Sequence, residues 1–510
     1  KEHALAGGRN DNPGVFGEDF HYRADGFKTL NAGQDMGFEN TGGMLQIDRY
    51  FGENNENHLE LKGKYSEETS NDTYLDLLDN DYNADAYQRY SASQLDQMDT
   101  EHTHLSLHYD YIISPQSDIS IIAYQNDFAR NWYKVSKVGG LSLGSGAEEV
   151  AAQIDNGSYT DSAFPIVQIK ANNREYLSQG IQAELAYRTD EHDIRFGVRI
   201  HEDEMDRYQW VDDYTLTTAG TMSLLLAREA GTDSNRIDSA DAISLFIHDT
   251  WEINDLTIKG GLRYENVNLA RDDWGKTDPQ RVNEPAMRRN SVEALLPALG
   301  FTYKVNDELV MLAGVQRSFA PPAPGNQNAE EEDGWNAEAG VRFIDNDLRV
   351  EAIAFATRLD NLHGNCTASQ GCNDSLIGNQ YNAGKVSVDG IELSFGNAWQ
   401  IGAVQIPINV NYTYTNASFD ESFASELDSW GDVEAGDDLP YLPQTVMQIE
   451  TGVKSSRWQV LASLQRLDDM RTQAGNGAML SDTDIKGRTV VNLSAKYDID
   501  NAQQVYAVID

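Results

Sequence analysis

Apolar residues recur with a period of two along most of the chain. In 404–414, Val404, Ile406, Ile408, Val410, Tyr412 and Tyr414 share one face, and Gln405, Asn409, Asn411 and Thr413 share the other. In 104–111, Leu105, Leu107, Tyr109 and Tyr111 oppose His104, Ser106, His108 and Asp110. The same alternation runs through Trp458, Val460, Ala462 and Leu464, and through Val491, Leu493, Ala495 and Tyr497. Successive side chains of a strand point to opposite faces, so this pattern predicts strands with one apolar and one polar side. Strong helical periodicity is nearly absent, and the predicted fold class is all-β.

Nineteen strands are predicted. Ten lie near 18–28, 37–51, 57–66, 98–113, 118–133, 174–189, 192–206, 237–253, 256–270 and 291–304. Nine more lie near 308–320, 334–344, 348–361, 381–396, 403–418, 441–454, 458–469, 487–499 and 503–510. Tight links such as 114–117, 190–191, 254–255 and 345–347 alternate with long ones near 67–97, 134–173, 207–236, 271–290, 321–333, 362–380, 419–440 and 470–486. All the long loops therefore emerge at one end of an antiparallel up-and-down meander. A transmembrane β-barrel follows that rule, with short turns on one side of the membrane and long loops on the other. Residues 1–17 read as a loop or partial strand at a truncated start. Residues 18–510 read as one barrel domain, incomplete at both ends, because an up-and-down bacterial barrel closes with an even strand number and the chain stops within an alternating segment.

Charge and composition narrow the function. Lys and Arg number 39 against 82 Asp and Glu, a net charge of −43, which excludes a nucleic-acid partner because no basic stripe is present for phosphates. With 24 Tyr, 16 Phe and 8 Trp, the chain has enough aromatic surface to order itself despite that charge. No run of 18 apolar residues occurs, so a membrane helix is excluded and a barrel is not. Trp132, Tyr133, Trp210, Trp251 and Trp458, near strand ends, suit interfacial girdles. No Gly-x-Ser-x-Gly or His-Glu-x-x-His occurs, and no catalytic cluster is seen, so an enzyme is not expected. The lone histidines His104 and His108 are read as lumen residues, and no metal site is assigned.

Particular segments resemble one family. GVQRSFAPPAPGNQNAEEEDGWNAEAGVRF (314–343) is similar to the strand–loop–strand of TonB-dependent outer-membrane receptors. Segments 361–372, 382–395, 430–444, 68–99 and 123–135 resemble the branch typified by ferric dicitrate receptors. The resemblance implies a 22-stranded barrel filled by an N-terminal plug that carries the TonB box; about 19 strands are read here, and no plug. It implies a multi-pass protein, expected as a monomer, in the outer membrane of a Gram-negative bacterium, in contact with lipopolysaccharide. The implied function is energy-coupled uptake of a ferric chelate, ferric citrate or a ferric siderophore, bound by extracellular loops and driven by the TonB complex through the missing plug. The alternative is a passive porin-like channel or a surface-binding barrel without energy coupling.

Such chelates are anionic, so cations in this acidic chain are informative. Arginine forks match carboxylates bidentately. Arg89 in the first long loop, Arg130 at an upper strand end, Arg174 at the start of the next strand and Arg207 at the end of another are expected to face one vestibule, with Gln380 and Asn382 as neutral donors. Pairing of each arginine with a local carboxylate is the simpler reading. No cofactor is expected beyond the transported chelate. The acidic loops 76–85 and 428–438 resemble calcium-binding sequences in composition but lack EF-hand spacing. A solvated acidic surface is their default, with calcium or a divalent bridge to lipopolysaccharide phosphates as the other options. Cys366 and Cys372, the two cysteines, suggest a local disulfide in an oxidising compartment. Two free thiols, or a zinc site that includes His363, are the alternatives.

Overall fold

The computed structural model describes residues 1–9, 12–31, 33, 36–160, 165–326, 330–366, 380–479, 484–500 and 503–509. Its main sheet has 22 strands. Two of these, Leu141–Ser142 and Met222–Leu226, are short hairpin arms within long loops, which leaves twenty wall strands running from Glu2–Arg9 to Gln504–Ile509. Each wall strand pairs antiparallel with the next in sequence, so the wall is an up-and-down meander. No pairing joins the first wall strand to the last among the described residues.

The alternation of links holds along the whole chain. Links such as 115–116, 189–191, 254–255, 346–347 and 402–403 are tight, and 71–96, 139–165, 217–233, 361–385 and 420–444 are long. Asn254 and Asn346 open two-residue turns with φ of 51° and 52°, a left-handed conformation that asparagine tolerates.

The two faces of the wall separate as the alternation predicts. Directly opposed residues in antiparallel strands share a face. Register therefore places Ile47, Leu61, Leu107, Ala123, Ile181, Ile200 and Ile243 in one continuous outer row. Leu107, Ile181, Ile200 and Ile243 are each exposed, with Ile243 at 50%. Exposed apolar rows of this extent are a liability in water and the required surface in hydrocarbon. Ile408 lies on that same outer face, opposite Asn397 and Thr451. The inner face is polar and cross-linked: His104 bonds Asn126 (2.7 Å), His108 bonds Ser120 (2.8 Å), and Ser394 donates to Asn411 (2.9 Å).

Several expectations need correction. Residues 1–17, read as a loop or partial strand, contain a strand, Glu2–Arg9, in register with Gly14–Ala24. Its sequence EHALAGGR lacks a clear apolar face, which hid it, and the wall count is twenty instead of nineteen. Ile166–Arg188 and His192–Leu216 run for 23 and 25 residues, deep into stretches expected to be loops. About ten tilted residues cross hydrocarbon, so these strands continue far above it, where Val167, Ile169 and Leu216 turn to a loop core instead of lipid. Trp251 and Trp458 lie on the outer face near tight turns, as a girdle requires. Trp132, Tyr133 and Trp210 lie high in the long-loop region instead. There Trp132 packs on Tyr74, Tyr133 donates to Asp212, and Trp210 donates to the same carboxylate.

The buried apolar cores sit among the long loops. One joins Leu75 and Tyr90 of the 71–96 loop, Ala147, Ala151 and Ile154 of helix α1 (Ala147–Asp155), and Val135, Val167, Ile169 and Leu216 from strand tops. Ala147, Ala151 and Ile154 recur at helical spacing, so one face of α1 is apolar and closes this core. The other joins Cys366, Ala383, Val386, Phe419, Leu427 and Trp430. These two cores hold the loops rigidly over different parts of the rim.

Candidate functional site

Four arginines stand side by side on the inner wall. Arg130 of Ser117–Val138 opposes Arg174 of Ile166–Arg188; Arg174 opposes Arg207 of His192–Leu216; Arg207 opposes Arg236 of Ser234–Ile253. The row ends at Asp273, opposite Arg236. Like charges directly opposed across a ladder are destabilising, so this row is costly to the fold.

The row lies above the lipid-facing band. One position along each strand, on the outer face, Glu101, Ala129, Glu175, Asp206, Ile237 and Asp272 form the neighbouring row. At this height the wall is acidic outside and basic inside. That division explains how a chain of net charge −43 can present a cationic lumen.

The arginines differ in how they are satisfied. Arg236 and Arg271 both bond Asp238, at 3.0 and 2.5 Å, and this carboxylate is 4% exposed. Among the described residues, Arg174 donates to two neutral groups, Asn172 Oδ1 (3.2 Å) and Tyr176 Oη (3.3 Å). Arg130 and Arg207 each carry a buried Nε with no hydrogen-bond partner. Among the described residues, none of the three forms a carboxylate pair, so the simpler expectation of local pairing fails for them. Burial, then the charges of Arg236 and Arg174, push Arg207 down to about 9. Burial also lowers Arg130 and Arg236. Each is a cation kept in an environment that disfavours cations, which is the electrostatic mark of a site prepared for an anion.

Rings flank the row. Below it on the inner face, His102, Phe128 and Tyr176 are neighbours in register, followed by Met205. Phe128 lies 5.8 Å from Tyr176 and 6.1 Å from His102 between ring centroids. Above it, Lys134, 9% exposed, places its ammonium 3.1 Å from the Tyr74 ring centroid and 3.9 Å from that of Trp132. Burial lowers Lys134 to about 7. Asp96 accepts from the backbone N–H groups of Tyr74 (3.0 Å) and Val135 (2.8 Å), and ties the 71–96 loop to the strand top.

A strap from the proline-rich segment crosses the inner wall. Ala323 N donates to Gln380 Oε1 (2.8 Å), and Gly325 N donates to Asn290 Oδ1 (3.2 Å). Gly325 has φ +77°, and a Cβ there would meet the Arg271 side chain at 2.8 Å, so glycine is required twice over.

Of the sequence-derived candidates, Arg130, Arg174 and Arg207 are brought together. Arg89 is not: it donates to the carbonyls of Ala86 (3.0 Å) and Gln88 (2.5 Å) and organises its own loop. Gln380 holds the strap, and Asn382 pairs with His363 in a short hairpin by the second loop core. Cys366 is buried in that core, and Cys372 lies outside the described residues. The sequence reading missed Arg236 and Arg271. Each sits two residues from an aspartate on the same face, Asp238 and Asp273, and that alternation was the available signal. In the acidic loops, Asp81 accepts from Tyr90 Oη (2.6 Å), Asp437 from Asn476 (3.0 Å) and Asp438 from Arg471 (3.4 Å). Among the described residues, no group of three or more His, Cys, Asp or Glu is placed to hold a metal ion.

Comparison with known proteins bears on this wall. No curated protein matches the sequence. The unliganded ferric citrate transporter FecA superposes with a TM-score of 0.70 at 18% identity, over 97% of this chain and 67% of that one. The closed form of the ferric-catecholate import receptor Fiu from E. coli K12 gives 0.69 at 15%, over 98% and 73%. The ferric yersiniabactin uptake receptor FyuA from Yersinia pestis gives 0.68 at 11%, over 99% and 71%. These similarities show a shared fold. The family model described as TonB dependent receptor-like, beta-barrel, matches residues 3–510. With nearly its whole length matched, the chain belongs to the TonB-dependent receptor β-barrel family, whose members transport and do not catalyse.

Proposed function

We propose that this protein is an outer-membrane receptor for the energy-coupled uptake of an anionic ferric chelate, which it holds on its inner wall. One observation carries the reading: the row Arg130–Arg174–Arg207–Arg236 faces the lumen, and three of its members have no carboxylate partner among the described residues. Charge-assisted contacts from fixed guanidinium forks to carboxylate or catecholate oxygens are strong, and they would relieve the mutual repulsion of the row. The relatives of known structure include a ferric citrate transporter and a ferric-catecholate import receptor, which supports an iron chelate as cargo. Citrate and siderophore chelates both fit the charge of the row.

The test is uptake of radiolabelled iron by iron-starved cells that rely on this receptor, with and without Arg174→Gln. Uptake should require TonB and fall about tenfold or more in the variant, the loss of one charge-assisted contact. Uptake that persists without TonB would mark a passive channel. Unchanged uptake of every ferric chelate in the variant would remove the arginine row from the function.

A further inference from the structure

Of the rings around the arginine row, Phe128 and Tyr176 belong to neither loop core. Phe128 is an aromatic hydrocarbon on the inner face, above the lipid-facing band. It stands one place below Arg130 on the same face, beside Tyr176, one place below Arg174. Same-face neighbours along a strand are about 7 Å apart, so rings and guanidinium groups can touch one small ligand together. His102 continues the lower row, and Trp132 closes it from above. Phe128 and Tyr176 are half-buried and present their remaining surface to the lumen.

We propose that the chelate recognised by this wall carries aromatic donor rings, as in a catecholate or phenolate complex of iron(III), in preference to an aliphatic hydroxycarboxylate complex. This rests on the reading of the wall as a ferric-chelate site. Rings of the ligand stack against Phe128 and Tyr176, while its anionic oxygens meet Arg130, Arg174 and Arg207. The charges also match. Iron(III) bound by three catecholate dianions carries three negative charges, and three arginines here have no carboxylate partner among the described residues. Aromatic pairs prefer offset or edge-on geometry and contribute beyond the area they bury. Guanidinium planes also stack on rings. A citrate complex uses the arginines but leaves Phe128 and Tyr176 facing an aliphatic surface.

The experiment titrates the purified full-length receptor with two probes, iron(III) held by a tripodal tris-catecholate and ferric citrate, with quenching of tryptophan fluorescence as the readout. The tris-catecholate should bind at least about tenfold more tightly. Phe128→Leu and Tyr176→Leu together should weaken it roughly tenfold and leave ferric citrate unchanged, while Tyr176→Phe, which keeps the ring, should stay near the parent. Arg174→Gln should weaken both probes, and that result tests the wall site separately. Ferric citrate binding as tightly as the tris-catecholate, or ring variants that weaken both probes equally, would overturn the aromatic preference and leave the wall site standing. If Arg174→Gln weakens neither probe, the wall site and the preference fall together.

Discussion

Replacing Arg207 by glutamine should make the barrel more stable and the receptor worse at binding. The Arg207 guanidinium stands between Arg174 and Arg236, and its buried Nε has no partner. Burial first, and then its arginine neighbours, pull its pKa from the usual guanidinium range down to about 9. Each unit corresponds to about 1.4 kcal/mol, so the charged form is disfavoured by an amount on the order of 5 kcal/mol. The lumen side admits solvent and screens part of this, so a neutral amide should raise stability by about 1–3 kcal/mol. The lost charge-assisted contact should weaken chelate binding by about 1.5–3 kcal/mol, tenfold to a hundredfold. The signs separate further at alkaline pH. Above about pH 9 the unfolded chain holds more protons at this position than the folded one, so this group makes stability rise with pH. Chelate affinity falls over the same range as the cation is lost. Arg207→Gln should flatten both dependences. Urea unfolding in detergent micelles, with the midpoint shifted and the slope constant, reads the first effect, and fluorescence titration reads the second. A variant that is less stable than the parent and binds equally well would show Arg207 to be a structural cation, and the reasoning would fail.

Three other outcomes are expected. Ile408→Arg places a charge on the lipid-facing wall and should cost about 2–4 kcal/mol if it lies at mid-depth, read as a lower folding yield into bilayers and a lower unfolding midpoint; an unchanged midpoint would contradict the outward assignment. Asp96→Ala strips a buried and a half-buried backbone N–H group of their acceptor and should cost about 2–4 kcal/mol of local stability, so limited proteolysis should cut within 71–96 sooner than in the parent. Cys366 and Cys372 should be joined in the mature protein, holding the second loop core with a contribution of about 2–3 kcal/mol; intact-mass analysis after alkylation without reductant should detect no labelled thiol.

The barrel itself was legible along the chain because lipid and lumen impose opposite demands on alternate residues. Wherever a strand crosses hydrocarbon, as in 104–111 or 404–414, the period of two is unavoidable, and the tight and long links reveal which ends gather together. Above the membrane that demand ends. The upper parts of Ile166–Arg188 and His192–Leu216 pack against a loop core instead of lipid and read as loops, and Glu2–Arg9, with its glycines, showed no period at all. Arg130, Arg174 and Arg207 could be picked out because cations are scarce in so acidic a chain. Arg89, chosen on the same ground, proved to serve its own loop. What tertiary structure alone decided is that three of these arginines, with Arg236, form one row. Their positions are 44, 33 and 29 residues apart in sequence, and a slip of one residue in any ladder would send an arginine to the outer face. That register depends on ladder hydrogen bonds that run unbroken from the tight turns up to the row, and on loop cores that hold the strand tops in place. None of these terms belongs to a single segment, so the row exists only when the wall has been assembled.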